Sequence, residues 1–330
     1  MTTFDSTKRS LPDLLRDITN GKIQLPDFQR GWVWDDDHVK SLLVSIARSF
    51  PVGAVMLMET GGEVQFQVRR VEGVPIDRAT NSPERLILDG QQRLTSLTQA
   101  VALTSPVATR TAKGSKISRH YYFDIQLALE GEDRLEDAII SVDEKKQIRS
   151  NFGRDIELDL STRELECKQL YFPCDLILDD SQWLQELFQH NRDGMEQFLM
   201  FKKKVIDAFV AYQIPIIELK KETSKEAVCL VFEKVNTGGV QLSVFELMTA
   251  SYAAENYNLR DDWFGSEERE VDSRKSRLAT QDLLKGVEST DFLQAITLLH
   301  TRQRKYQDIA DGKQGKQIRP VSAKRASVLE

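Results

Sequence analysis

Residues 87–97 read Ile-Leu-Asp-Gly-Gln-Gln-Arg-Leu-Thr-Ser-Leu, and they constrain the fold more than any other stretch. A short apolar run from Arg85 to Leu88 ends at Asp89-Gly90. Two amides and an arginine follow, and Leu94, Leu97 and Val101 then recur at helical spacing. The pattern predicts a buried strand, a glycine turn and the start of a helix. A helix start presents backbone N–H groups without intrahelical partners, and these favour anions. Gly90 lets a ligand approach the backbone closely. Gln91, Gln92 and Arg93 fall in the first helical turn, where Arg93 offers a two-pronged pairing with a phosphate. Asp89 has two readings. It is an N-cap, or a carboxylate that holds a divalent cation or orients a water. A carboxylate beside phosphates is repulsive unless a cation bridges them, so the phosphate reading implies Mg²⁺.

The flanking pattern is irregular. Leu11, Leu14, Leu15 and Ile18 share one helical face, and Gly21 stops the helix. Asp35 is placed to cap a second helix with inner face Val39, Leu42, Leu43, Ile46 and Phe50. Ala54 to Met58, Tyr121 to Ile125 and Ile214 to Leu219 predict strands, and Val64, Phe66 and Val68 alternate as a half-buried one. Residues 105–118 read as a basic loop. From about 130 to 210 the pattern is charged and mostly helical, with its longest helix carrying Phe198, Phe201, Val205, Phe209 and Tyr212. Thr223 with Glu226, and Ser243 with Glu246, match capping boxes that open helices over about 224–235 and 243–256. The order is α+β without the even rhythm of a doubly wound sheet. We expect a domain over 1–255, built on a small mixed sheet with flanking helices and a mostly helical insertion at about 130–210. A helical segment follows over 256–330. Its end carries no helix breaker, as in a piece of a longer protein.

Bulk properties exclude several classes. No apolar run approaches the ~18 residues that span a bilayer, and the N-terminus lacks a signal-peptide core. The reading is a cytoplasmic protein with no membrane partner. Three cysteines, Cys167, Cys174 and Cys229, argue against a disulfide framework and lack zinc spacing. Net charge is −6, so the whole chain is no polyanion grip. Charge is uneven, however. Residues 302–325 carry eight basic side chains against two acidic, and 105–120 carry Arg110, Lys113, Lys116 and Arg119 with no acid. Either stretch suits phosphates or a solvated loop.

Two further segments carry candidate chemistry. In Pro26-Asp-Phe-Gln-Arg-Gly-Trp-Val-Trp34, Gln29 and Arg30 suit a nucleotide's phosphates or base edge. Trp32 or Trp34 either stacks on a base or anchors a core turn. Asn236-Thr237-Gly238-Gly239 is either an anion-binding nest or a helix C-cap and turn. There is no G-x-x-x-x-G-K-[ST], G-x-S-x-G or H-E-x-x-H. His38, His120, His190 and His300 lack the close pairing of a metal nuclease.

Leu-Pro-Asp-Phe-Gln-Arg-Gly-Trp-Val-Trp, Leu-Asp-Gly-Gln-Gln-Arg-Leu-Thr-Ser-Leu and Phe-Glu-Lys-Val-Asn-Thr-Gly-Gly-Val-Gln-Leu-Ser stand in that order. Together they resemble the GmrSD-type restriction family, specifically its N-terminal GmrS-like domain, over roughly residues 8–255. The resemblance implies a fold similar to the ParB N-terminal and sulfiredoxin folds. It implies NTP binding and hydrolysis at Asp89, Gly90, Gln91, Gln92 and Arg93. It assigns Gln29 and Arg30 to a first nucleotide-binding motif, and Asn236, Thr237, Gly238 and Gly239 to a third. It further implies service in defence against phage, with recognition of modified DNA, beside a second HNH-type nuclease domain. The resulting expectation is a Mg²⁺-dependent NTP-hydrolysing domain of a modification-dependent restriction system, with Asp89 toward the metal. The alternative is a nucleotide-gated DNA-binding switch without catalysis.

Overall fold

The computed structural model describes residues 4–312 except 27, 28, 30, 33, 63–65, 67, 76–81, 225, 226, 229, 230, 232–244, 246, 247, 250, 251, 253–256 and 267–269. The order begins β1 (Phe4–Ser10), α1 (Leu11–Thr19), β2 (Ile23–Pro26), α2 (Asp36–Ala47), β3 (Val55–Glu59), β4 (Val68–Arg69), β5 (Arg85–Asp89) and α3 (Gln91–Leu97). A π-helical turn, Thr98–Ala102, prolongs α3. Next come β6 (Val107–Arg110), β7 (Lys116–Asp124), α4 (Ile125–Glu130), α5 (Leu135–Ala138), β8 (Ile139–Val142), β9 (Gln147–Ser150) and β10 (Asp155–Asp159). Then α6 (Arg163–Gln169), β11 (Tyr171–Pro173), α7 (Ser181–His190), α8 (Met195–Phe201), α9 (Asp207–Ala211) and β12 (Gln213–Leu219) complete the body. Among the described residues, helices at Leu259–Phe264, Arg274–Ala279 and Ser289–Ala310 lie further along the chain.

Local chemistry explains the framing helices. The Ser10 side chain caps α1 by accepting from the Asp13 N–H. Leu11, Leu14, Leu15 and Ile18 are each at most 1% exposed, and burying each stabilises by roughly 1.5–3 kcal/mol. Asp35 caps α2 in the same way, accepting from the His38 N–H. Val39, Leu42, Leu43 and Ile46 form its buried face. Phe50, expected on that face, lies beyond the helix end and is exposed.

Six strands form a mixed sheet in the order β1-β12-β3-β5-β2-β4. β12 runs parallel to β3, and β2 parallel to β5, while β3 and β5 are antiparallel. The carboxyl ends of β2 and β5 therefore share an edge with the start of β3. That edge receives the Asp-Gly turn and α3.

The expected basic loop at 105–118 is instead a hairpin, with Arg110 opposite Lys116 in the β6–β7 ladder. Val107 and Thr109 point inward while Ala108 and Arg110 are exposed, a strand's period of two, too short to stand out in the sequence. The 130–210 insertion is mostly helical as expected, and Met195 to Ala211 runs as one continuous helical stretch through a π turn. It also holds β8–β11, which the charged pattern concealed. β8 and β11 pair with β7, so the insertion is stitched to the body. Trp183, Phe198, Phe201 and Phe209 join Leu11, Leu43 and Leu94 in one core.

A separate cluster joins Phe245 and Met248 to Leu259, Trp263 and Leu293, so apolar packing crosses position 255. Cys167 and Cys174 are buried free thiols. Burial pushes the Cys167 thiol up to about 12. Among the described residues, no helix is long and apolar enough to cross a membrane.

Candidate functional site

The turn at the end of β5 is built as the sequence predicts. Gly90 adopts φ 87° and is the N-cap of α3, with no side-chain cap. A β-carbon there would meet Val55 Cγ2 at 2.9 Å, so both conformation and space require glycine. The cap reading of Asp89 falls with this finding: the αL turn at Gly90 starts the helix one residue later than a capping Asp89 requires. The Asp89 carboxylate instead accepts from Arg93 Nη2 at 3.3 Å and is one-third exposed.

Arg93 does more inside the fold than a phosphate ligand would. Its Nη1 donates to the Val52 carbonyl at 2.5 Å, and Nη2 to the Ala54 carbonyl at 2.8 Å. The guanidinium thus clamps the turn that leads into β3. Tyr212 holds the same turn, donating to the Phe50 carbonyl at 2.6 Å and accepting from the Val52 N–H at 3.2 Å. Burial raises the Tyr212 phenol, against the Val52 N–H and the Arg93 charge.

Gln29 is buried beneath the turn. Its amide nitrogen donates to the carbonyls of Ile87 at 2.8 Å and Leu88 at 3.0 Å. Two carbonyl acceptors fix the amide's orientation and leave Oε1 buried without a partner. The Gln29 carbonyl accepts from Arg69 at 3.3 Å and Arg260 at 3.1 Å. Glu72 ties the network together, accepting from the Trp32 N–H at 3.0 Å and Arg69 at 2.8 Å through Oε1. Its Oε2 is a second buried acceptor without a partner. Gln91 is buried at the first position of α3. Gln92 sits beside it and donates to the Gly31 carbonyl at 3.4 Å.

The structure therefore gathers Asp89, Gly90, Gln91, Gln92, Arg93 and Gln29 at one sheet edge. Arg30, Asn236, Thr237, Gly238 and Gly239 lie outside the described residues. Arg110 and Lys116 lie on the β6–β7 hairpin, lining a cavity with Trp32 and Trp34, and Lys113 is exposed in its turn. Arg119 turns away from them, lining a small cavity with His120, Tyr121 and Asp175, and its Nε is buried without a partner.

Sequence reasoning missed Gly53, Arg69, Glu72, Tyr212 and Arg260. Gly53 stands forty residues from Arg93, and nothing in the local pattern links the two. Arg260 stands 231 residues from its partner, a separation no local pattern spans.

Among the described residues, no group of three His, Cys, Asp or Glu side chains is placed to hold a metal. A Mg²⁺ ion at the turn would be held by the Asp89 carboxylate and would supply charge neutralisation for a bound phosphate. That suits this ion, which binds through one or two carboxylates and keeps several waters.

Residues 11–253 match the family model described as GmrSD restriction endonuclease, N-terminal domain. An uncharacterized protein of Methanocaldococcus jannaschii is 24% identical over 313 residues, which cover 91% of this chain. The chain spans about half the length of that relative, 50%.

Proposed function

Because the chain belongs to the GmrSD restriction endonuclease family through its N-terminal domain, we propose that the Asp89–Arg93 turn binds a nucleoside triphosphate and hydrolyses it with Mg²⁺. Family membership carries a role in a restriction system. The nucleotide chemistry is our own reading, and so are the whole protein's DNA target, modified phage DNA, and its HNH-type nuclease partner.

One observation carries the reading: the uncapped αL start of α3 at the carboxyl end of β5. Strand ends of this kind are where open sheets receive ligands, and a helix start favours phosphate. The first turn of α3 would face the phosphates, and Arg93 would add charge from its remaining N–H groups. Asp89 Oδ2 is held by Arg93, and its other oxygen would bind the cation or orient a water. Mg²⁺, when bound, neutralises phosphate charge. Gln29 and Gln92 keep the turn in register with β5 and with the Gly31 backbone.

The test is Mg²⁺-dependent phosphate release by wild type and by Asp89→Asn, which is nearly isosteric. Loss of a positioned carboxylate costs roughly 10²–10⁴-fold in rate. Equal turnover in the two proteins overturns the assignment.

The clamp on Val52 and Ala54 favours the switch as the second reading. A phosphate that draws Arg93 from these carbonyls would release the 50–54 turn without any chemistry. NTP binding without turnover, with DNA affinity that follows nucleotide occupancy, selects the switch over the hydrolase.

A further inference from the structure

A second concavity lies apart from the Asp89 turn. A cavity of about 530 Å³ opens between the Trp32–Trp34 segment and the β6–β7 hairpin. Its wall includes Trp32, Trp34, Arg110, Lys116, Ser118 and Glu144. The volume falls among those of small-ligand sites, roughly 300–1,000 Å³.

The Trp32 indole and the Trp34 backbone are both held in place. The Trp32 indole N–H donates to Ser96 Oγ at 3.0 Å, and the Trp34 carbonyl accepts from Thr109 at 2.8 Å. The Trp34 ring stands 5.6 Å from that of His38. A tryptophan that serves only as a core anchor is fully enclosed, as Trp183 and Trp263 are at 0% exposure. Trp32 and Trp34 are instead half-buried and border open space.

Charge is the independent observation. Arg110 and Lys116 stand directly opposite each other in the hairpin ladder, where like charges destabilise. Neither forms an ion pair among the described residues. Lys113 adds a third positive charge at the exposed turn, and residues 105–120 contain no acid. Aromatic faces beside unpaired cations match a nucleic-acid strand, whose bases stack and whose phosphates supply the missing anions. A carboxylate at Glu144 on the cavity wall would accept from a base's exocyclic amino group and disfavour phosphate inside, which would leave the phosphates to the cationic rim.

We infer that this cavity and hairpin seat a single strand of nucleic acid, with a base against Trp32 and Trp34 and flanking phosphates on Arg110, Lys113 and Lys116. The site stands independently of the Asp89 reading, since it shares no side chain with that turn.

The test is fluorescence anisotropy with a labelled single-stranded oligodeoxycytidylate of about 12 nucleotides, within the range single-strand sites cover. Trp34→Ala should weaken binding about tenfold, as loss of one stacking contact does. R110Q/K116Q should weaken binding at least as much and reduce the salt slope by about 1.4, since each single-strand phosphate contact contributes about 0.7. It should leave nucleotide turnover unchanged and keep melting temperature at or above that of wild type, since the like-charge pair is relieved, which separates failure here from failure of the Asp89 reading. Lys203→Gln, an exposed lysine on the helical insertion, should bind as wild type does. The proposal is overturned if both hairpin and tryptophan variants keep wild-type affinity, or if Lys203→Gln loses as much. It is also overturned if free deoxycytidine monophosphate competes as well as the oligonucleotide, which would make the cavity a mononucleotide site.

Discussion

A β-carbon on Gly53 would stand 2.6 Å from Arg93 Nη1. The clamped guanidinium therefore leaves no room for a side chain at Gly53, although forty residues of chain separate the two. Gly53 also sits at φ +88°, where an L side chain is strained. Gly53→Ala should destabilise the fold by about 1–3 kcal/mol from backbone strain alone, with the clash added. Gly53→Ala/Arg93→Ala should recover the steric part and keep the backbone part together with the loss of the Arg93 clamp. Thermal or urea unfolding of both variants checks this, and strictly additive losses contradict it.

Arg93→Ala should cost about 1.5–3 kcal/mol, as charge-assisted hydrogen bonds to the Val52 and Ala54 carbonyls are lost. Arg93→Lys keeps the charge but cannot reach both carbonyls with one ammonium. It should fall between wild type and the alanine variant in stability. If nucleotide turnover tracks charge rather than clamping, Arg93→Lys will retain more activity than its melting temperature predicts.

Tyr212→Phe tests the second clamp on the same turn. It removes the bonds to the Phe50 carbonyl and the Val52 N–H, each worth about 0.5–1.5 kcal/mol. Combined with Arg93→Ala, the loss should be non-additive, because both side chains hold residues 50–54. A coupling energy near zero in a double-mutant cycle would show that the two clamps act separately.

Gln29→Glu should be worse than Gln29→Leu at neutral pH. A carboxylate would face the Ile87 and Leu88 carbonyls with no proton to donate, and burying that charge costs more than losing two hydrogen bonds. Lowering the pH protonates the glutamate and should narrow the gap. Melting curves of the two variants at neutral and acidic pH decide the order.

At the far end of β5, Arg85 pairs with Glu218 of β12 across β3. Burial raises the Glu218 carboxyl, but Arg85 and Lys220 outweigh it and hold it below its ordinary 4.5. Its folded value lies below its unfolded value. The stabilisation is therefore fully present above the unfolded value and lost as pH falls through the lower, folded one. Wild-type melting temperature should drop over that acid range, and Arg85→Gln should flatten the drop. An unchanged acid slope in Arg85→Gln would remove Glu218 from the account.

Much of this was legible from residue order alone. Hydrophobic period placed α1 and α2, and the capping residue Asp35 set the start of α2. The Asp-Gly-Gln-Gln-Arg stretch declared a strand, a turn and a helix because each needs only local chemistry: β-forming apolar residues, a glycine at positive φ, and apolar spacing near 3.6. The three ordered motifs pointed to the family. The pairing of the 105–118 segment into a hairpin and the short strands of the insertion were not legible. β6 and β8 to β11 are each only three to five residues long, too short for a period of two to stand out.

The partners of the motif belong to tertiary structure. Sequence determined that Arg93 sits in the first turn of a helix after an αL glycine. It could not determine that the guanidinium points back to the carbonyls of Val52 and Ala54, that Tyr212 grips the same turn, or that Arg260 reaches Gln29. Those contacts depend on the order of strands in the sheet, which brings β3, β5 and β12 side by side from distant parts of the chain. A helix start is encoded within a few residues. What it faces is decided by long-range pairing, because hydrogen bonds and burial act through space rather than along the chain.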